Sequence, residues 1–287
     1  MTTFLERILA TKQREVNELK DSSAISHFRE TGTLLESGQE PAPCIGFRSA
    51  LEQGNQLCVV AEIKQASPSK GQISNDFHPE LRAVTYERSG ATAISVLTDR
   101  TFFHGSLHDL KLVRRSVRLP ILRKDFVIDE SQIAEARLAG ADAVLLICAA
   151  LSPTRLLELS RYAQSMGLDT LVEVHGLDEL DFALAANPSV LGVNNRNLHT
   201  FEVSLETTLK ILRHVPNDLC VISESGIDNV SDATCMAEAG AQGVLVGEAL
   251  MRQESEDGAA GLLQSLRVRR RSLRVEHQNT VPTGQSR

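Results

Sequence analysis

The chain has 287 residues, slightly more than the roughly 250 of one (β/α)8 barrel and too few for two. With 42% hydrophobic and 23% charged residues it has an ordinary globular composition, so a sizeable core is expected and disorder is confined to the ends. A formal net charge of −7 argues against a nucleic-acid or anionic-membrane surface, because polyanions demand a concentrated basic patch.

From the N-terminus, Met1 to Lys20 mixes charged and apolar residues without a continuous apolar stretch. It reads as neither a signal peptide nor a membrane span, and a cytoplasmic protein is expected. Phe4 to Lys20 is predicted as a helix with a sticky face of Leu5, Ile8, Leu9, Val16 and Leu19, packing on the rest of the chain as part of a lid. A second helix is predicted at Ile45 to Gln53, with a polar linker between the two.

From residue 57 to about 248, short β-branched runs alternate with helical patterns, which predicts parallel βαβ units. Eight strands are expected, at 57–63, 91–97, 119–124, 141–147, 168–174, 189–194, 219–224 and 242–247. Between them lie amphipathic stretches such as Pro79 to Ser89, Glu130 to Ala139, Pro153 to Met166 and Asn229 to Ala239. Gly90, Gly140, Gly167 and Gly240 follow these, where a left-handed residue stops a helix. Eight strands with eight crossovers suit a closed α/β barrel, a TIM barrel with an N-terminal helical extension, better than an open sheet. The expected organisation is an extension at 1–54, a catalytic barrel at 55–266 and a frayed tail at 267–287 carrying Arg267, Arg269, Arg270 and Arg271.

Of five cysteines, Cys58, Cys148 and Cys220 fall in apolar strand-like runs without metal-ligand spacing, so reduced core thiols are expected. His104 and His108 are four apart, but no carboxylate or Cys pattern completes a metal site around them, and no metal is expected.

In such barrels the reacting groups project from the C-terminal strand ends. The first strand ends Ala61-Glu62-Ile63-Lys64, and side chains two apart share a face, so Glu62 and Lys64 both point into the mouth. The third strand ends in Lys124, the fifth carries Glu173, the sixth runs into Asn194 and Arg196, and the seventh gives Glu224 and Ser225. One lysine at one strand end is ordinarily a solvated charge or a structural ion pair. Like and unlike charges gathered on five strand ends instead form a cluster whose ionisation is tuned for proton transfer.

Ser225-Gly226-Ile227 follows the seventh strand, and Gly247-Glu248-Ala249-Leu250 follows the eighth and opens a short helix. Glycines let backbone N–H groups approach an anion, and barrels often keep a phosphate here; taken alone, the same glycines equally serve tight turns. The cationic mouth tips the reading to phosphate.

At these positions the chain resembles the indole-3-glycerol-phosphate synthase family. The matching strings run from Ala61-Glu62-Ile63-Lys64-Gln65-Ala66-Ser67-Pro68-Ser69-Lys70-Gly71 through Leu122-Arg123-Lys124-Asp125-Phe126, Leu171-Val172-Glu173-Val174-His175 and Asn194-Asn195-Arg196-Asn197-Leu198 to Ser223-Glu224-Ser225-Gly226-Ile227 and Leu245-Val246-Gly247-Glu248-Ala249-Leu250. They cover all eight units, from about residue 45 to 252. The family often has a basic residue where Gln65 stands, which should face away from the mouth, and Ser or Thr where Glu248 stands, which leaves only the backbone N–H for a phosphate.

The resemblance implies conversion of 1-(2-carboxyphenylamino)-1-deoxyribulose 5-phosphate to indole-3-glycerol phosphate, with loss of carbon dioxide and water and no cofactor. It implies Lys124 as the acid for ring closure, and Lys64 as substrate anchor and candidate acid in dehydration. Glu173 would be a base or poise a lysine, and Glu62 would orient the lysines. Asn194, Arg196 and Glu224 would position substrate and Ser67 would line the mouth, while Ser225, Gly226, Gly247 and Glu248 would hold the phosphate. An isomerase of the same pathway would want a Cys and Asp pair where this chain has Lys and Glu, and a non-catalytic sugar-phosphate sensor would need no such full set. The expected partner is a small sugar-phosphate substrate, with neither nucleic acid nor membrane, and a monomer is among the states the sequence allows.

Overall fold

The computed structural model describes residues 2–34, 38, 40–67, 71–72, 77–198, 200–253 and 255–271. Eight parallel strands close into a barrel, each hydrogen-bonded to its sequence neighbours and the first to the last. They are Cys58–Ile63, Ala93–Leu97, Ile121–Lys124, Ala143–Ile147, Asp169–Val174, Val190–Asn194, Val221–Glu224 and Gly243–Val246. Each lies inside its predicted run and starts one or two residues later. The lead-in residues lie at the barrel's N-terminal rim, where Ala91, Ala141 and Leu168 still bond back to the preceding helix.

The strand pleat sorts side chains into two cores. Val60, Leu122, Leu145, Leu171, Ile222 and Leu245 fill the barrel, whereas Val59, Ile94, Val144, Val172, Leu191 and Val244 pack outward against the helices. Both faces are buried, which is why the strands read as near-continuous apolar runs rather than alternating ones. The four predicted helix stops hold: Gly90, Gly140, Gly167 and Gly240 have φ of +90°, +92°, +77° and +103°. Cys58, Cys148 and Cys220 are free and buried, as read from their apolar runs.

The N-terminal extension forms three helices, α1 (Phe4–Lys20), α2 (Ser23–Thr31) and α3 (Phe47–Glu52). Thr3 and Glu6 form a capping box at the start of α1. The helix α2 replaces part of the expected polar linker; only Ile25 and Phe28 anchor it, against Ala134, and two apolar residues carry little periodicity.

The helices α1 and α3 serve opposite ends of the barrel. Phe47 and Leu51 of α3 are wholly buried and join the barrel's interior core. Their placement comes from two aspartates at strand starts: Asp142 accepts from the Ile45 N–H at 2.6 Å and Asp169 from the Arg48 N–H at 2.9 Å. On α1, Lys12 is fully buried, its ammonium 2.8 Å from both Asp99 and Asp125, which follow the second and third strands. A lysine survives such burial only with partners of this kind, and the pair raises its pKa against the opposing effect of burial.

The predicted tail begins as ordered chain. Arg269 bridges to Gln56, and the Arg270 guanidinium donates to the carbonyls of Leu51, Gln53 and Gly54. Those free carbonyls at the end of α3 attract a cation, which composition alone did not reveal. Residues 272–287 lie outside the described chain.

Phe47→Ala should therefore open a cavity in the barrel floor and cost about 3–5 kcal/mol of stability, read from the denaturant midpoint.

Candidate active site

A cavity of about 560 Å³ opens at the C-terminal ends of the strands. Strand register delivers its charged floor: Glu62 pairs alongside Ser95, Lys124 alongside Leu97, Glu173 alongside Ile147, and Asn194 alongside Glu224. Phe103, Phe126, Leu198 and Phe201 make apolar walls, joined by Phe4, Leu5 and Ile8 of α1. The extension thus does line the mouth. Asp99 shapes one wall by capping the short helix Arg100–Phe103, accepting from the N–H groups of Phe102 and Phe103.

The lysines and glutamates sort into two groups. Lys64 Nζ donates to Glu62 Oε1 at 2.7 Å. Lys124 Nζ lies 2.8 Å from Glu224 Oε2 and 3.4 Å from Glu173 Oε2. Glu224 is therefore Lys124's nearest carboxylate, although the family resemblance implied only a substrate-binding role for it and assigned the tuning to Glu62 and Glu173. Four strands along the chain from Lys124, Glu224 reaches it only because the barrel closes.

Burial pushes all three carboxyls upward, and the neighbouring charges decide the outcome. For Glu62, Lys64 and Lys124 outweigh burial and hold it below the usual range. For Glu173, Lys124, then His175 and a hydrogen bond from Asn194, do the same. Glu224 loses the contest, because burial and the Glu173 charge exceed Lys124's help and raise it to about 7. Its Oε1 is buried without a hydrogen-bond partner, which suits a carboxyl carrying its own proton. Burial lowers the pKa of Lys124, but Glu224, Glu173 and Glu62 more than reverse this and raise it.

Asn194 Oδ1 accepts from the Ser225 hydroxyl at 2.8 Å and from the Arg196 N–H at 3.0 Å, fixing the sixth strand's end against the seventh. Ser225 (φ +64°) and Gly226 (φ +81°) make the left-handed turn that brings the backbone to the cavity. At Gly247 a Cβ would overlap Glu62 Oε1 and approach Lys64 Nζ to 3.0 Å, so this glycine leaves room for that ion pair. Glu248 lines the cavity and holds Arg196 Nη2 at 3.4 Å, so its carboxylate has a task within the site. Ser67 lies in a two-residue ribbon with Gly71, while its side chain, like Pro68, Ser69 and Lys70, lies outside the described residues.

Three contributors escaped sequence reading. His175, two residues beyond Glu173, faces it, and Lys12 anchors α1 beside the site. Gly192 provides the space that Glu224 occupies, since a Cβ there would overlap Glu224 Oε1. The inward period of the sixth strand, two residues before Asn194, was the available signal for Gly192.

The indole-3-glycerol phosphate synthase family model matches residues 5–262. The chain belongs to the indole-3-glycerol phosphate synthase family. A relative bearing that name from Desulfotalea psychrophila is 48% identical over 257 residues, covering 89% of this chain and 96% of the relative. Another, from Oceanobacillus iheyensis, is 47% identical over 251 residues, covering 87% and 92%. Among solved structures, a tryptophan synthase alpha chain from Legionella pneumophila superposes with a TM-score of 0.57 at 16% identity, covering 78% of this chain and 96% of that one. A protein from Aquifex aeolicus gives 0.59 at 15% identity, covering 77% and 98%. At such identities these structures establish the barrel fold alone. Family membership carries the family's activity in tryptophan biosynthesis, the decarboxylating, dehydrating ring closure that yields indole-3-glycerol phosphate from its phosphorylated precursor.

Two outcomes are expected. Gly192→Ala should push Glu224 off Lys124 and lower kcat about 10²-fold while the melting temperature changes little, because the displaced atom ends a flexible side chain. The second concerns pH. Glu224's pKa is raised on folding, so its protonation stabilises the fold fully below about 4.5, and that contribution is lost as pH rises through about 7. The stability of Glu224→Gln relative to wild type should therefore rise between pH 5 and pH 8, by on the order of 2 kcal/mol in urea titrations.

Proposed function

We propose that this family's reaction proceeds here with Lys124 as the group that meets the developing alkoxide. The single observation supporting this is an ammonium buried at the third strand's end and held 2.8 Å from Glu224 and 3.4 Å from Glu173, facing the cavity. A ring carbon attacks the ketone, negative charge gathers on the oxygen, and a preorganised cation there lowers the barrier without solvent reorganisation. Lys124's raised pKa makes it a reluctant donor to water. An alkoxide is basic enough to take its proton all the same, so charge stabilisation leads and proton transfer follows.

Lys64, paired with Glu62, anchors the anionic substrate and supplies an acid for dehydration. Glu173, kept ionised, is the base that completes it, and Glu224 holds the proton that Glu173 lacks. Decarboxylation between these steps restores unsaturation in the ring. Asn194 and Arg196 position the substrate's polar groups. Ser225, Gly226, Gly247 and Glu248 receive the phosphate, with backbone N–H groups as the main donors. Glu248's carboxylate repels a phosphate unless Arg196 screens it, and the 3.4 Å contact between them supports that arrangement. On this reading the chain works in the cytoplasm as a monomer, and its net charge of −7 supports a surface that binds no nucleic acid. Among the described residues no helix is long and apolar enough to cross a membrane.

The test is Lys124→Met, which keeps the stem's bulk and removes the charge. Purified protein is given 1-(2-carboxyphenylamino)-1-deoxyribulose 5-phosphate and the indole product is followed by fluorescence. A fall in kcat of about 10⁴-fold or more with KM little changed is expected, since the lost interaction belongs to the transition state. A variant that melts early yet turns over near the wild-type rate assigns Lys124 to structure instead.

A further inference from the structure

His175 stands at the rim of the barrel, just past the fifth strand, with its ring largely buried between two carboxylates. Its Nε2 lies 3.4 Å from Glu173 Oε1 and its Nδ1 lies 3.5 Å from Glu179 Oε2. Neither ring nitrogen has a hydrogen-bond partner of good geometry. Glu179, on the turn Leu177–Glu179, is itself fixed by accepting from the His175 backbone N–H at 2.6 Å. Glu224 on the seventh strand also acts on this ring, and Cys148, after the fourth, lies near the same Glu179 and Glu173. Burial pushes the Cys148 thiol up, so it stays neutral and adds no charge. Lys124 lies beyond Glu173, on that residue's other oxygen.

A neutral imidazole offers one N–H, whereas here carboxylate oxygens face both nitrogens. Only the imidazolium presents a proton to each. We propose that His175 is a positioning residue of the reaction, its imidazolium lodged between Glu173 and Glu179 to keep Glu173 ionised and leave the shared proton on Glu224. The direction of its own titration agrees: burial lowers its pKa, and Glu179 and Glu173 more than offset that, leaving it above the usual value. Lys124 lies nearer Glu224 than Glu173, and the histidine is the second cation that tips ionisation toward Glu173. This rests on the reading of Glu173 as the base.

The test is the pH dependence of kcat/KM from pH 5 to 9, which reports groups of the free enzyme. In wild type, activity rises along an acidic limb as the base ionises. In His175→Asn and His175→Gln, each checked for a native melting profile, the limb should move up by about one to two pH units, because an opposing charge within reach of Glu173 has gone. A packing role would instead lower kcat evenly across the range and leave the limb in place, and that result in both variants overturns the proposal. Glu173→Gln, run alongside, should abolish the limb; a limb that survives there removes Glu173 as base. The pairing is then still measured directly by imidazole NMR titration. His175 should titrate above 6.5 in wild type and fall by about one unit in Glu173→Gln. A ring already neutral at pH 6 overturns the inference whatever the kinetics show.

Discussion

Lys124 is a cation withdrawn from water and surrounded by carboxyls, and the rest of the site follows from that arrangement. Isolated, an ammonium at that depth would lose its proton; with Glu224 and Glu173 against it, the proton is held tightly. The two carboxyls do not share the lysine as equals: Lys124 and His175 hold Glu173 low, while burial and the Glu173 charge push Glu224 up to about 7. Gly192 is needed because Glu224 must lie across the sixth strand to reach the lysine, and Gly247 because Glu62 and Lys64 crowd the eighth. The small residues on the barrel's inner wall are thus set by the charged ones above them.

The barrel was legible because its signal is redundant. Eight buried strands each read as an apolar run, and left-handed glycines mark four of the helix ends, so errors at one boundary do not disturb the next. The inward register of Glu62, Lys64, Lys124, Glu173, Asn194 and Glu224 followed from the two-residue period at strand ends. What pairs with what did not. Lys124 and Glu224 are 100 residues apart and meet only when the sheet closes, and nothing local to either announces the other. His175 keeps the inward phase two residues beyond Glu173, but its second partner, Glu179, lies on the turn that follows rather than on a strand end, so the pairing was not legible. The helix α2 carries two buried anchors in nine residues, too few to separate it from a linker.

The N-terminal extension is a part of the machinery at both ends. Below, Phe47 and Leu51 close the barrel floor and let the layer of Leu145, Leu171 and Ile222 stay dry. Above, the Lys12 contacts to Asp99 and Asp125 hold α1 so that Phe4, Leu5 and Ile8 face the cavity. Asp125 directly follows Lys124, and its pKa is lowered to about 2, with Arg123 and Lys12 overcoming the effect of burial. The helix α1 and Lys124 are therefore linked through the Lys12–Asp125 ion pair and one peptide bond.

Those attachments also order events in time. The Ile45 N–H reaches Asp142 across 97 residues and the Arg48 N–H reaches Asp169 across 121, while Lys12 depends on a loop that follows the third strand. None of these acceptors is in place until several βα units have assembled, and closing such long loops precedes any gain from the contacts. The helices α1 and α3 thus gain these contacts only late in assembly. Before they dock, the apolar faces of Phe47 and Leu51 have no surface to cover them, which makes a partly assembled barrel the aggregation-prone form of this chain.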